Sequence, residues 1–326
     1  MRPLGRRTGF HTLDRWLYNA AVALRPPRDT DLMLGVDLDG FLWARRRRLP
    51  FAVMLKGIIA DELKNERGRV RALLRVQARW ERRNVERADL VMVTSAYSAE
   101  VARREYGVPP ERLAIVPEPI DLEVWDDQFW RASRRTRTAP VVLSVARMYP
   151  RKRLSDLLRA AAILRARLPG LQVRIVGRGP EWAELGRLHG QLGLGDSVAL
   201  LGDLTRERLA EEYANASVFC LPSVQEGFGI VFLEAMAAEL PVVACRVAAI
   251  PEVVLDEVTG VLAPPRDPGA LAEALERVIL DPTLARRLGQ EGRRRALGFS
   301  PRHIAERFLS AVHSSRDRLS QRARGG

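Results

Sequence analysis

The sequence predicts an α/β protein built from helix-wound parallel sheets in two domains. Three observations carry that prediction. Short apolar runs alternate with helix-period segments along most of the chain. The 326 residues suffice for two separate cores. A polar, arginine-rich stretch, 126–140, reads as a linker between the halves.

The first thirty residues are basic, with a helical pattern from Leu13 to Leu24 that Pro26-Pro27 ends. Leu32–Val36 and Phe51–Leu55 read as buried strands, with a helix carrying Arg45–Arg48 between them. One long basic helix is expected over Asp61–Ala88, its apolar side formed by Leu63, Val70, Leu73, Leu74 and Trp80. A strand at Leu90–Thr94, a helix at Ser98–Tyr106 and a strand at Leu113–Val116 complete a first domain over 1–125. In 141–300 the expected strands are Val141–Ala146, Gln172–Val176, Val198–Leu201, Val218–Leu221, Pro241–Ala244 and Gly260–Leu262, with helices between and after them. Residues 301–313 read as a C-terminal helix crossing back to the first domain, and 314–326 as a disordered tail.

Composition narrows the function. No apolar run reaches the roughly 18–20 residues of a membrane span, and no signal-peptide core stands at the start. The two cysteines, Cys220 and Cys245, sit in or beside apolar runs, which suits reduced thiols in a cytoplasmic protein. The four histidines show no ligand spacing, so no metal site is expected. The formal charge of +13 favours phosphate-bearing partners: a nucleotide or an anionic membrane surface. With aromatics at 6% and no recognition-helix motif, nucleic acid is not expected. The arginines of the 61–88 helix are either a solvated face or a site for the inner face of the cytoplasmic membrane; charge pattern alone leaves both open.

The stretch Pro222–Ala238, PSVQEGFGIVFLEAMAA, organises the second half. It runs from a strand end through a glycine loop into a helix that starts near Gly229. That order leaves helix N–H groups open to an anion and lets the loop backbone approach a ligand. Glu226 in the loop and Glu234 eight residues on are carboxylates able to accept paired sugar hydroxyls. The loop after Val145 carries Arg147, Arg151, Lys152 and Arg153, and fixed cations there suit the charge on a departing diphosphate. Gly177-Arg178-Gly179-Pro180 and Leu201-Gly202-Asp203 end neighbouring strands, either as plain turns or as the walls of a nucleotide pocket.

Together SVARMYPRKR, IVGRGP, LGDL, CLPSVQEGFGIVFLEAMAAELPVVAC, AAIPEVV and TGVLAPPRDP resemble, in order, the retaining GT-B glycosyltransferases of glycosyltransferase family 4. More weakly, Ala88–Asp121 resembles the end of that family's N-terminal domain. The resemblance implies two Rossmann-like domains facing across a cleft, here with a shortened N-terminal domain lacking its first strands and glycine loop. It implies a retaining, metal-independent hexosyltransferase whose donor is a UDP-sugar or GDP-sugar, with no further cofactor. The acceptor expected is a carbohydrate or lipid-linked glycan of the cell envelope. By the same likeness Arg147 and Lys152 contact the diphosphate, and Glu226 binds donor-sugar hydroxyls with backbone help from Gly227, Phe228 and Gly229. Glu234 holds the ribose, while Gly177, Arg178, Leu201, Gly202 and Asp203 lie near the base. Lys56-Gly57 stands where the family frequently has a histidine, and Glu118-Pro119 where it has asparagine-glycine. Those departures keep two alternatives open: a non-catalytic nucleotide-sugar-binding protein, and a GT-B nucleotide-sugar epimerase.

Overall fold

The computed structural model describes residues 11–24, 30–40, 42, 49–131 and 139–324. Arg45–Arg48 lie outside them, as do residues 132–138 of the expected linker. The chain divides into two compact units, Met1–Pro117 with Ala305–Gly326, and Glu118–Ile304.

The first unit begins with α1 (His11–Leu24) and β1 (Met33–Val36), followed by β2 (Phe51–Leu55), α2 (Ile59–Glu62), α3 (Gly68–Arg87), β3 (Leu90–Val93), α4 (Ala96–Tyr106) and β4 (Leu113–Ile115). Its strands form one parallel sheet in the order β1-β2-β3-β4. Phe51, Val53 and Leu55 alternate along β2 and pack with Val91, Val93, Val85 and Val101, as the period-2 geometry of a strand requires. The predicted Asp61–Ala88 helix is broken. A 3₁₀ turn spans Leu63–Asn65, and extended backbone at Glu66 and Arg67 separates α2 from α3.

Glu81 explains how the broken halves are joined. From α3 its carboxylate accepts hydrogen bonds from the Tyr106 hydroxyl of α4 and, at 2.9 Å, from the backbone N–H of Ile59 at the start of α2. Burial pushes its pKa up to about 8, against the lowering effect of both hydrogen bonds.

In the second unit α5 (Leu122–Arg131) precedes a six-stranded sheet. The elements follow as β5 (Val141–Val145), α6 (Leu154–Arg167), β6 (Gln172–Val176), α7 (Trp182–Gln191), β7 (Val198–Gly202), α8 (Arg206–Ala214), β8 (Val218–Leu221) and α9 (Ile230–Ala237). Then come β9 (Val242–Cys245), α10 (Ile250–Val253), β10 (Gly260–Ala263), α11 (Pro268–Leu280) and α12 (Pro282–Leu297); α13 (Pro301–Arg324) follows, and from Ala305 on it belongs to the first unit. All strand pairs are parallel, in the order β10-β9-β8-β5-β6-β7. From β5 the chain winds outward through β6 and β7, then returns to β8 and winds the other way. The reversal falls between β5 and β8, and in open α/β sheets ligands bind beyond the carboxyl ends of the strands at that point.

Two expectations need correction. The segment taken as the start of a linker is α5, because Leu122, Trp125 and Phe129 face the core of the second unit at helical spacing. Trp125 meets Tyr213 edge-on at 5.1 Å between ring centres, and Asp126 forms a two-point ion pair with Arg293 of α12. The residues taken as a disordered tail from Ser314 continue α13 to Arg324, since neither glycine nor proline interrupts the chain before Gly325. Cys220 and Cys245 are free and buried, and burial raises both thiols, Cys245 to about 12.

The Glu81 carboxyl yields a pH prediction. Its pKa rises from 4.5 in the unfolded chain to about 8 on folding. The folded state therefore binds the extra proton across that interval, and stability falls as pH rises through it. Glu81→Gln, a neutral isostere, is expected to flatten the fall of melting temperature with pH in this window. An unchanged slope would assign the titration to another group.

Candidate active site

The loops after β5 and β8 flank the point where the strand order reverses, and one ion pair joins them. Lys152 lies in the 3₁₀ turn Pro150–Lys152 and reaches across 2.6 Å to Glu226 Oε1. Ser223 Oγ donates to the same oxygen at 2.7 Å. The Lys152 and Glu226 side chains are only 15% and 9% exposed, so the charges are held in a largely dry setting. Backbone ties lock the loops further: Val224 N–H donates to Arg151 O at 2.9 Å. Among the described residues nothing donates to Glu226 Oε2, and that oxygen is not sealed from solvent. A primary ammonium has three donors, so Lys152 keeps two beyond its bond to Glu226.

The cations of the β5 loop divide by task. Arg153 is bound by Asp156 through two hydrogen bonds of 2.8 and 2.7 Å. Arg151 lies over the Tyr149 ring at 4.6 Å. Arg147 is exposed, 5.9 Å from the same ring, and has no ion-pair partner among the described residues. Charge density in the sequence thus overstates the uncommitted cations: Arg153 is paired, whereas Lys152 keeps two donors and Arg147 has no ion-pair partner among the described residues.

Gly229 precedes α9 with φ of 93°, where a Cβ would lie 2.6 Å from the Phe232 ring. Only glycine fits there without displacement. Phe228 is buried edge-on against Phe299 at 5.5 Å, so what it and Gly229 can present is backbone. Glu234 sits in the fifth position of α9, just over one turn from the helix start at Ile230. Its Oε2 accepts from Tyr213 OH of α8 at 2.8 Å, while Oε1 has no donor among the described residues. Burial raises its pKa, with the Tyr213 hydrogen bond and the Arg206 charge acting in the lowering direction. No direct contact joins Glu234 to Glu226.

Gly177 has a local structural task. At its φ of 113° a Cβ would stand 2.2 Å from Ala146 O, so the β6 loop lies backbone-to-backbone on the β5 loop. Met148 N–H donates to Arg178 O at 3.1 Å, and Gly177 N–H to Gly202 O at 2.8 Å. Gly177, Gly202 and the Arg178 backbone thus brace the cationic loop from the β6–β7 side. The Arg178 guanidinium lies 4.2 Å over the Trp182 ring and close to Gly202 at the end of β7, whose sequence neighbours Leu201 and Asp203 are half-buried and exposed. Sequence reading missed Ser223 and Tyr213. Ser223 could have been found, standing three residues before Glu226 in a tight loop. Tyr213 carries no local signal, because α8 meets α9 only in the folded unit.

The family model for glycosyl transferases group 1 matches residues 126–295, and that for glycosyltransferase family 4 matches residues 33–124. The D-inositol 3-phosphate glycosyltransferase of Kribbella flavida is 33% identical over 249 residues, covering 72% of this chain and 59% of that protein. A GDP-mannose-dependent alpha-(1-6)-phosphatidylinositol monomannoside mannosyltransferase of Mycolicibacterium smegmatis is 35% identical over 222 residues, 64% of this chain and 58% of the relative. The chain thus spans little more than half the length of these curated relatives. Among solved structures, sucrose-phosphate synthase from Thermosynechococcus elongatus superposes with a TM-score of 0.75 at 27% identity, over 97% of this chain and 81% of that one. Two Rossmann-like parallel-sheet units and a family match over most of both place this chain among the GT-B proteins, as a member of the glycosyl transferases group 1 family.

Proposed function

We propose that the protein transfers a hexosyl group from a nucleoside-diphosphate sugar to an acceptor hydroxyl with retention at the anomeric carbon. The observation that carries this reading is the Lys152–Glu226 pair beyond the carboxyl ends of β5 and β8, which leaves one carboxylate oxygen and two ammonium donors open.

In this reading Glu226 Oε2 accepts donor-sugar hydroxyls, and Lys152 spans from the sugar side to the diphosphate. Arg147 adds the second cation. As the bond from the anomeric carbon to the phosphate oxygen breaks, both cations stabilise the negative charge left on the diphosphate, without calling on a metal ion. The acceptor hydroxyl attacks from the same face, and its proton passes to the departing phosphate oxygen. The start of α9 adds its positive dipole end. Glu234 accepts the ribose hydroxyls with Tyr213 holding its other oxygen, and Arg178, Leu201 and Asp203 border the base. The donor is a GDP- or UDP-sugar; the mannosyltransferase relative's name specifies GDP-mannose. The acceptor is a lipid-linked or cell-envelope glycan at the inner face of the cytoplasmic membrane. That reading is supported by the phosphatidylinositol mannoside in the same name and by the exposed arginines Arg67, just before α3, and Arg69, Arg71, Arg75, Arg79 and Arg83 along it.

The direct test is release of nucleoside diphosphate from UDP- and GDP-sugars in the presence of acceptor, with the anomeric configuration of the product read by NMR. An epimerised sugar formed without acceptor, or binding without turnover, would overturn the reading. Arg147→Ala is expected to lower kcat by roughly 10²–10³ with an unchanged melting temperature, because the side chain is exposed. Lys152→Ala should show a similar loss of turnover and a lower melting temperature, since Glu226 loses its counter-charge in a dry site. Equal kcat in the Arg147 variant would remove that residue from the mechanism.

Nucleotide affinity supplies a separate check. Glu234 accepts ribose hydroxyls best as a carboxylate, so affinity for free GDP or UDP should rise with pH as this burial-raised group ionises. Tyr213→Phe removes a donor that favours the charged form and should move the rise to higher pH. Glu234→Gln should abolish it and weaken binding by about 1.5–3 kcal/mol, the range for a hydrogen bond to a charged group. Calorimetric titration across pH reads all three, and a pH-independent wild type would refute the assignment.

A further inference from the structure

Helix α1 is docked the wrong way round for a helix meeting water. Its polar side faces the protein: Arg15 donates to Asp39 Oδ1 at 2.9 Å and to Val36 O at 3.3 Å. Asn19, only 2% exposed, donates to Asp39 Oδ1 at 3.0 Å and accepts from Gly40 N–H at 2.6 Å. The apolar side faces out. Leu13, Trp16, Leu17 and Leu24, at i, i+3, i+4 and i+11, are 46%, 44%, 39% and 67% exposed, with Tyr18 beside them at 43%. Single exposed apolar residues are ordinary on protein surfaces, but five in one fourteen-residue helix form a patch that calls for a partner.

Charge selects the partner. The first thirty residues hold six arginines against two aspartates; in the sequence Arg2, Arg6 and Arg7 precede α1, and Arg25 and Arg28 follow it. A short helix with leucine, tryptophan and tyrosine on one side and arginines at its ends has the composition of an interfacial helix on an anionic bilayer. At 14 residues α1 cannot span one, and no helix among the described residues is long and apolar enough to do so.

We propose that α1 is the membrane-docking element of this chain. It lays Leu13, Trp16, Leu17 and Leu24 into the headgroup boundary of an anionic bilayer, while Arg15 and Asn19 hold it on the first unit. The proposal extends the membrane-borne acceptor reading, and its test separates the two. The full chain is floated with vesicles of phosphatidylcholine mixed with phosphatidylglycerol, and with phosphatidylcholine alone. Wild type should float with the anionic vesicles, and Trp16→Gln/Leu17→Gln should bind them at least about tenfold more weakly with nucleotide affinity unchanged. Independently, Leu17→Cys carrying an environment-sensitive fluorophore should shift to the blue on anionic vesicles, whereas the same label at Glu273→Cys on α11 should not. Buried Cys220 and Cys245 leave the introduced thiol as the reactive one. Wild type that floats with neither vesicle refutes membrane docking altogether. Equal flotation of the double variant, or an unshifted label at position 17, refutes the role of α1 while leaving arginine-driven binding in place. A wild-type dimer by light scattering that the double variant reduces to monomer assigns the face to a second copy and overturns the proposal.

Discussion

The contact between Lys152 and Glu226 governs the second unit. It is short, largely dry, and lies at the one place in the sheet where the strand order reverses. Removing two charges from water costs several kcal/mol per ion, and their mutual attraction recovers this only with good geometry and further hydrogen bonds. Ser223 supplies one such bond, and the Val224–Arg151 backbone bond fixes the separation of the two loops. The pair is therefore better understood as a device for position than as a source of stability. It fixes an ammonium and a carboxylate side by side with capacity left on each.

The surroundings serve that position. Gly177 and Gly202 clamp the cationic loop from the β6–β7 side, and Gly229 allows the chain to turn into α9. Behind α9 the aromatic series Trp125, Tyr213, Phe219 and Phe232 links α5, α8, β8 and α9 through ring contacts of 5.1 to 6.1 Å. Tyr213 belongs both to that series and to the site, since its hydroxyl holds Glu234. Trp125 of α5 thus touches the ring whose hydroxyl holds Glu234 of α9.

The first unit also joins its elements through carboxyls, one buried and one half-buried. Glu81 substitutes for continuous helix between α2 and α3 by capping one from the other. Asp39 receives α1 through Arg15 and Asn19, which turns the apolar side of that helix outward. The strand and helix periods of this region were legible in the sequence, but the break at Glu66–Arg67 was not. A buried glutamate fifteen residues further on decides it, and no local pattern points there.

By itself the sequence determined the strand and helix alternation, the parallel sheets and the loop that holds Glu226, because side-chain period and glycine placement act over a few residues. It also placed four cations, Arg147, Arg151, Lys152 and Arg153, in the loop after a strand, and the family resemblance singled out Arg147 and Lys152 among them. Only the tertiary structure decided which cations remain on offer: Arg153 is spent on Asp156, whereas Lys152 meets Glu226 seventy-four positions along the chain. It likewise decided that Tyr213 would partner Glu234, that α5 belongs to the second unit's core, and that α1 shows its apolar face. Each of these depends on which surfaces the sheet order brings together, and contacts between residues far apart in sequence leave no trace in local periodicity.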